Sequence, residues 1–178
     1  MIEWIPELVL FEQASGIWQK YLDLLYSYYA SDFIDTVVYR NGTRIGIRKY
    51  PFSEGKEKSF WHLVSNGEIE EERQIDFRRC ERIRWPRPVI EHSECEDIWI
   101  WNNQRGSEKR LLLYLHEERY LVVLGIRNGY FLLCTAYYVE QEHRHEQLRQ
   151  EYELFAAAQK ARAASCEAAP NTPSTPGR

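Results

Sequence analysis

The sequence has little cysteine, and what it has is not arranged for metal or redox chemistry. Only four of its 178 residues are cysteine, and no two have the spacing of a C-x-x-C pair. No apolar run reaches the length of a membrane span. The N-terminus shows no basic segment followed by an apolar one, so we expect no signal peptide. These absences favour a soluble protein of the reducing cytoplasm.

Familiar catalytic motifs are also missing. The chain has no phosphate-binding glycine loop, no dinucleotide-binding glycine pattern, no His/Cys set with metal-ligand spacing and no nucleophile elbow. We therefore expect neither a cofactor nor a metal. Any chemistry must come from side chains that the fold brings together.

Charge is distributed unevenly along the chain. The formal net charge is −4 and the sequence pI is about 5.8, whereas a general nucleic-acid-binding domain is basic. Between Arg73 and Pro88, however, six arginines face only Asp76 and Glu81. A local basic segment in an acidic protein predicts one focused anion site.

The composition and the pattern of helical and strand-like segments predict one α+β domain with an N-terminal helix, an antiparallel sheet and a C-terminal helix. Hydrophobic residues make up 44% of the chain, enough for a core without disulfides. We expect a single domain over residues 1–164 and a disordered Pro/Ser/Thr tail over 165–178. Ser15 is a possible cap for a first helix, in which the apolar residues from Ile17 to Tyr29 share one face.

Strands are predicted from alternation and from turn residues. Asn41-Gly42 predicts a hairpin, and Asn102 to Lys109 has the composition of a polar turn. Asp76 is a plausible N-cap for a helix from Phe77 to Arg84. The last strand is apolar enough to be central and covered on both faces, and a helix with a Leu148, Tyr152, Phe155 stripe follows. The predicted strands are Lys58–Val64, Ile98–Trp101, Arg110–Leu115, Tyr120–Ile126 and Tyr130–Tyr138.

A small set of polar residues could form a site. His62 lies among apolar residues, Lys58 shares its predicted face, and Thr135 and Tyr137 share one face of the last strand. Buried polar groups need partners, so each of these residues could be purely structural. Metal-independent RNA cleavage would also use this set, because it needs an acid, a base and cations that stabilise charge on the phosphate.

Three segments carry a resemblance to a known nuclease group: Lys58 to His62, Asp76 to Glu91, and Tyr120 to Glu153. Together they resemble the barnase–EndoU–colicin–RelE-like (BECR) nucleases that are carried by phages and prophages. The resemblance covers roughly residues 35–155. It implies a helix followed by a curved sheet, an active face on that sheet, and metal-independent ribonuclease activity.

The resemblance also implies roles for individual residues. His62 would be the acid or base, and Thr135 with Tyr137 would position the phosphate. One of Arg78, Arg79 and Arg82 would stabilise charge, and the sequence leaves open which. Lys58 and Trp101 are candidate substrate contacts. The expected partners are an RNA substrate and a protein antitoxin or inhibitor, with no membrane, while the oligomeric state stays open.

Two other functions fit the same residues. The chain could be a non-catalytic binding module that docks a protein or nucleic acid on its tryptophans, Trp61, Trp85, Trp99 and Trp101. It could also be a structural phage accessory protein. Geometry separates these hypotheses from the enzyme, since one active site requires His62 within about 8 Å of Thr135, Tyr137 and an arginine.

Overall fold

A long amphipathic helix opens the folded part of the chain. The computed structural model describes residues 2–67 and 72–167. Helix α1 spans Trp18–Phe33, and its apolar stripe is buried as predicted. Ser15 does not cap it. Instead, Ser15 ends a short 3-10 turn, Phe11–Ala14, in the left-handed conformation.

A curled sheet of six strands forms the other half of the structure. The strand order is β1-β2-β8-β7-β6-β5, and the sheet is bent into a half-barrel. Strands β5 to β8 form an antiparallel meander, whereas β2 pairs with β8 in parallel. The strands are β1 (Tyr39–Arg40), β2 (Thr43–Gly46), β5 (Ile98–Arg105), β6 (Glu108–Leu115), β7 (Tyr120–Arg127) and β8 (Tyr130–Tyr138). A separate two-stranded ribbon pairs β3 (Ser65–Asn66) with β4 (Gln74–Ile75).

Helices cover both faces of the sheet, which confirms the predicted α+β architecture. The main core lies between one face and the helices α1, α2 (Lys58–Val64), α3 (Phe77–Glu81) and α4 (Pro86–Glu91). A second cluster lies on the opposite face, where Trp101 and Tyr114 pack with Leu148 of α5 (Glu142–Glu167).

The segment from Lys58 to Val64 is a helix, so its assignment as a strand was wrong. Its fully buried apolar residues, Phe60, Leu63 and Val64, follow helical spacing. A run of seven residues is too short for its apolar pattern to separate the two periods. Lys58 and His62 still share a side, because they are four residues apart on a helix.

The polar turn predicted over Asn102 to Lys109 was also wrong. Strand β5 continues to Arg105 and β6 begins at Glu108, so only Gly106 and Ser107 make the turn. Asn103 pairs with Arg110 across the two strands, so the polar segment belongs to the sheet. Tertiary pairing therefore outweighs local propensity here.

The end of the chain differs slightly from the expectation. Helix α5 extends to Glu167, so residues 165–167 of the predicted tail are helical. The rest of the predicted tail, residues 168–178, lies outside the described residues. Over residues 2–67 and 72–167, no helix is both long enough and apolar enough to cross a membrane.

Strand β8 is central, as predicted, and it contains a β-bulge. Thr135 pairs with Val123 and Leu133 pairs with Leu124, so Cys134 has no partner in the register. Leu133 and Ala136 consequently face the main core. Cys134 and Tyr137 lie on the opposite face, which is only partly covered there, contrary to expectation.

Asp76 is the N-cap of α3, as predicted. Its Oδ1 atom accepts hydrogen bonds from the backbone N–H groups of Arg78 (3.0 Å) and Arg79 (3.3 Å).

We expect Asp76→Ala to be less stable than Asp76→Asn by about 1 kcal/mol, because only asparagine preserves a side-chain cap. Urea unfolding of both variants measures this difference, and equal midpoints would contradict the capping role.

Candidate anion-binding active site

One pocket of about 560 Å³ opens on the face of the sheet that α5 covers in part. Glu108 and Arg110 belong to this face, because they alternate in step with Leu112 and Tyr114 of the second cluster. The pocket is lined by Arg48, His62, Asn66, Gly67, Arg73, Arg79, Arg105, Glu108, Arg110, Cys134, Thr135 and Tyr137. Four of the six residues proposed as catalytic from the sequence therefore meet at one place.

Arg79 is the central cation of the pocket. Its Nη1 atom donates to the backbone oxygen of His62 (3.1 Å) and to Oγ1 of Thr135 (3.0 Å). Its Nε atom lies 3.5 Å from Oδ2 of Asp76, and its guanidinium lies 5.0 Å from the centre of the Tyr137 ring. Only 14% of the side chain is exposed. Burial lowers the pKa of Arg79, opposed by the charge of Asp76, but an arginine stays protonated in proteins.

The register of α3 decides which arginine enters the site. Arg78 forms an ion pair with Glu140 at 2.7 Å and is half exposed. The guanidinium groups of Arg78 and Arg82 lie over the ring of Tyr138, which points away from Tyr137. The structure therefore brings Arg79 into the pocket and leaves Arg78 and Arg82 outside it.

His62 occupies the last turn of α2, where the pocket meets β8. Thr135 Oγ1 donates to the His62 backbone oxygen at 3.1 Å, so this contact is made by the main chain of His62. His62 is among the residues that line the pocket, while the Nε2 atom of its imidazole is shielded from solvent. Helix α2 thus supplies both an imidazole and the carbonyl that orients Arg79.

The bulge in β8 places two adjacent side chains in the lining of the pocket. Because Cys134 is the extra residue, Cys134 and Thr135 both line the pocket, and Tyr137 follows one step along the same face. Bulges often redirect side chains beside functional sites. Thr135 does not present a free hydroxyl, since its Oγ1 atom already binds His62 and Arg79. Its role in the pocket is to hold Arg79.

Sequence reasoning missed the residues on the far side of the pocket. Glu108 accepts hydrogen bonds from Arg110 and Arg127 and lies 3.9 Å from Nη2 of Arg48. Burial alone would raise the pKa of Glu108, but the hydrogen bonds from Arg127 and Arg110 outweigh it and lower that pKa. The spacing of Glu108 and Arg110 in one strand was the only sequence signal for this group.

Arg73 closes another wall of the pocket. Its guanidinium donates to Oγ of Ser65 (2.9 Å), to the Ser65 backbone oxygen (2.8 Å) and to the Gly67 backbone oxygen (2.8 Å). It belongs to the arginine-rich segment from which the sequence predicted an anion site. Among the lining residues that the structure describes, there are five arginines and one carboxylate, so this described lining is positive in a protein whose net charge is −4.

Two candidate substrate contacts lie away from the pocket. Lys58 is at the start of α2 and is not among the lining residues. Trp101 is only 2% exposed, and its Nε1 atom donates to Glu151 of α5. Trp85 is buried as well, so the four tryptophans do not form the single docking surface considered from the sequence.

The charged groups of the pocket are not arranged as a metal site. Over residues 2–67 and 72–167, no three His, Cys, Asp or Glu side chains are grouped so that they could share an ion. What the pocket offers is guanidinium groups, an imidazole, a phenol and a thiol. These groups can bind an anion and can transfer protons.

We expect Thr135→Val to destabilise the protein by about 1–3 kcal/mol, because it removes one hydrogen bond to the His62 carbonyl and one from the charged Arg79 side chain, which then keep their contacts with each other and with Asp76. Thr135→Ser keeps the hydroxyl and is the matched control. Chemical denaturation of both variants measures the effect. If valine and serine cost the same, the loss comes from packing and the hydrogen bonds contribute nothing.

The lowered pKa of Glu108 makes part of the stability pH-dependent. The folded state binds the proton of Glu108 less tightly than the unfolded state, so this contribution is complete at neutral pH. It is lost as the pH falls below about 5 and through the folded-state pKa. We therefore expect the free energy of unfolding of Glu108→Gln to fall less steeply over this range than that of the wild type. Urea unfolding at each pH measures this. If the unfolding free energies of the two proteins change in parallel with pH, Glu108 does not make this contribution.

Comparison of the chain with protein-family models, with curated proteins and with solved structures gave no match. The resemblance to BECR nucleases therefore stays a hypothesis. The function is argued below from the residues of the pocket.

Proposed function

We propose that this pocket binds a phosphodiester of RNA and cleaves it without a metal ion, by attack of the neighbouring 2′-hydroxyl. The observation that carries the proposal is the meeting of His62, Arg79 and Tyr137 in one positively charged pocket. These residues come from α2, α3 and β8, and 75 positions separate the first from the last.

The charge of the pocket suits a polyanion. Five arginines and one glutamate line it, and a concave site concentrates their field. Guanidinium groups match the oxygen pairs of a phosphate with two parallel hydrogen bonds.

In the proposed reaction, the 2′-oxygen forms a bond to phosphorus while the bond from phosphorus to the 5′-oxygen breaks. One group takes the 2′-proton and another supplies a proton to the 5′-oxygen, leaving a 2′,3′-cyclic phosphate and a 5′-hydroxyl. His62 serves as the acid or base, because an imidazole titrates near neutral pH. The Tyr137 hydroxyl positions the phosphate beside it.

Arg79 stabilises the charge that develops on the phosphoryl oxygens. Its guanidinium is held by the His62 carbonyl, Thr135 and Asp76. A cation fixed before the reaction needs no reorganisation when charge builds up, which is the main advantage of such a site. Thr135 acts through Arg79 as a positioning residue.

The proposal includes a cellular setting. An RNase of this kind meets its substrate in the cytoplasm, and a host that produces it needs a protein inhibitor or antitoxin. An origin in a phage or prophage, with a toxic role, agrees with the resemblance noted in the sequence. The identity of the RNA is left to experiment.

The test is incubation with mixed RNAs, including tRNA, in EDTA. The wild type should produce 2′,3′-cyclic phosphate ends, and His62→Ala should cleave about 100-fold more slowly or worse. Arg79→Lys should also lose most activity, because lysine keeps the charge but cannot form the paired hydrogen bonds. Arg78→Gln, next to it on α3 but outside the pocket, is the matched control and should cleave like the wild type.

A binding module without catalysis is the second candidate, favoured by the shielding of the His62 Nε2 atom from solvent. It predicts RNA retention that depends on Arg79 and not on Arg78, with no cyclic phosphate ends. That result, or equal cleavage by wild type and His62→Ala, would refute the proposed enzyme.

A further inference from the structure

The end of the pocket formed by the β5–β6 hairpin gathers several cations around Glu108. Glu108 accepts from Nε of Arg110 at 2.7 Å and from Arg127, and Arg48 approaches to 3.9 Å. The three guanidinium groups repel one another, and an anion that joins the group would relieve this repulsion. We name Arg48, Glu108, Arg110 and Arg127 the hairpin cluster.

Space for the cluster is built into the backbone. Gly125 lies inside β7 beside Arg110, where a Cβ atom would come within 2.9 Å of Nη1 of Arg127 and 3.1 Å of Sγ of Cys134. Glycine weakens a strand interior and marks places of close approach. Gly125 therefore makes room for the Arg127 guanidinium beside Glu108.

Arg48 is also placed firmly, although its side chain is 45% exposed. Its backbone N–H donates to Oγ of Ser59 (2.7 Å), and its backbone oxygen accepts from the Ser59 N–H (3.0 Å). These bonds tie the chain after β2 to the first turn of α2. Two separate parts of the fold thus bring arginines toward the same carboxylate.

Resting on the RNA-cleaving function proposed above, we propose that the hairpin cluster is a second phosphate subsite. Arg79 and His62 take the phosphodiester that is cleaved, and the hairpin cluster takes the adjacent one. The β8 bulge lies between the two subsites, because Thr135 contacts Arg79 while the neighbouring Cys134 thiol lies beside Gly125 and Arg127. The substrate is therefore an oligonucleotide with at least two consecutive phosphodiesters.

The size of the pocket agrees with such a substrate. Its volume of about 560 Å³ falls in the range of sites that hold a whole small ligand, roughly 300–1,000 Å³, and exceeds the needs of one phosphate. An acidic peptide would also satisfy arginines. A nucleic-acid strand is favoured because both clusters line one pocket, as anions joined at short fixed intervals require.

The experiment uses 2′-deoxy dinucleotides and trinucleotides, which carry one and two phosphodiesters and cannot be cleaved through a 2′-hydroxyl. Calorimetric titration of the full chain should show tighter binding of the trinucleotide. Arg110→Gln should weaken trinucleotide binding about tenfold or more, the usual effect of losing a charge-assisted hydrogen bond. Dinucleotide binding should change by about twofold at most, because the Arg79 subsite remains.

Four further variants sharpen the result. Arg48→Gln should weaken trinucleotide binding in the same selective way. Because the Arg48 side chain is exposed, this variant should fold even if Arg110→Gln does not. Gly125→Ala should act similarly by displacing the flexible end of Arg127. Arg149→Gln removes an exposed charge on α5 and should change neither affinity. Arg79→Gln should weaken the binding of both the dinucleotide and the trinucleotide.

The outcomes separate the two proposals. Equal weakening of both ligands by Arg110→Gln, or a trinucleotide that binds no better than a dinucleotide, would overturn the second subsite. Tighter, Arg110-dependent binding of an oligoglutamate peptide would also overturn it, in favour of a protein partner. If the ribonucleotide forms are not cleaved but the selective effect of Arg110→Gln persists, the subsite stands and the catalytic proposal fails.

Discussion

The buried guanidinium of Arg79 is the contact on which both the pocket and its surroundings depend. It joins α2 through the His62 carbonyl, β8 through Thr135 and its own helix through Asp76. A buried cation is tolerated only when its hydrogen bonds and its counter-charge are in place. The same contacts that make the cation acceptable to the fold also orient it toward the pocket.

The β8 bulge is the second constraint. If Cys134 were paired regularly, strict alternation would place Thr135 on the same side as Leu133, in the main core. Because of the bulge, Thr135 and Tyr137 share the pocket face while Leu133 and Ala136 stay buried. One unpaired residue thus allows an apolar central strand to carry polar side chains on one face.

The sequence predicted the meander well and the short elements poorly. Strand β8 was expected over Tyr130–Tyr138 and has those bounds, because a nearly continuous apolar run and an Asn-Gly turn agree there. Helix α2 was mistaken for a strand, since seven residues do not fix a period. The paired ends of β5 and β6 were taken for a turn because they are polar on both sides. Pairing in the folded sheet, which no local pattern encodes, decides their structure.

The site was predictable in its residue types but not in its geometry. His62, Thr135 and Tyr137 stood out because each is polar in an apolar setting, but the choice among Arg78, Arg79 and Arg82 required the helix register. Arg48 and Glu108 lie sixty positions apart and meet because β2 joins the meander in parallel beside β8. That long-range pairing concentrates arginine in one pocket of an acidic chain.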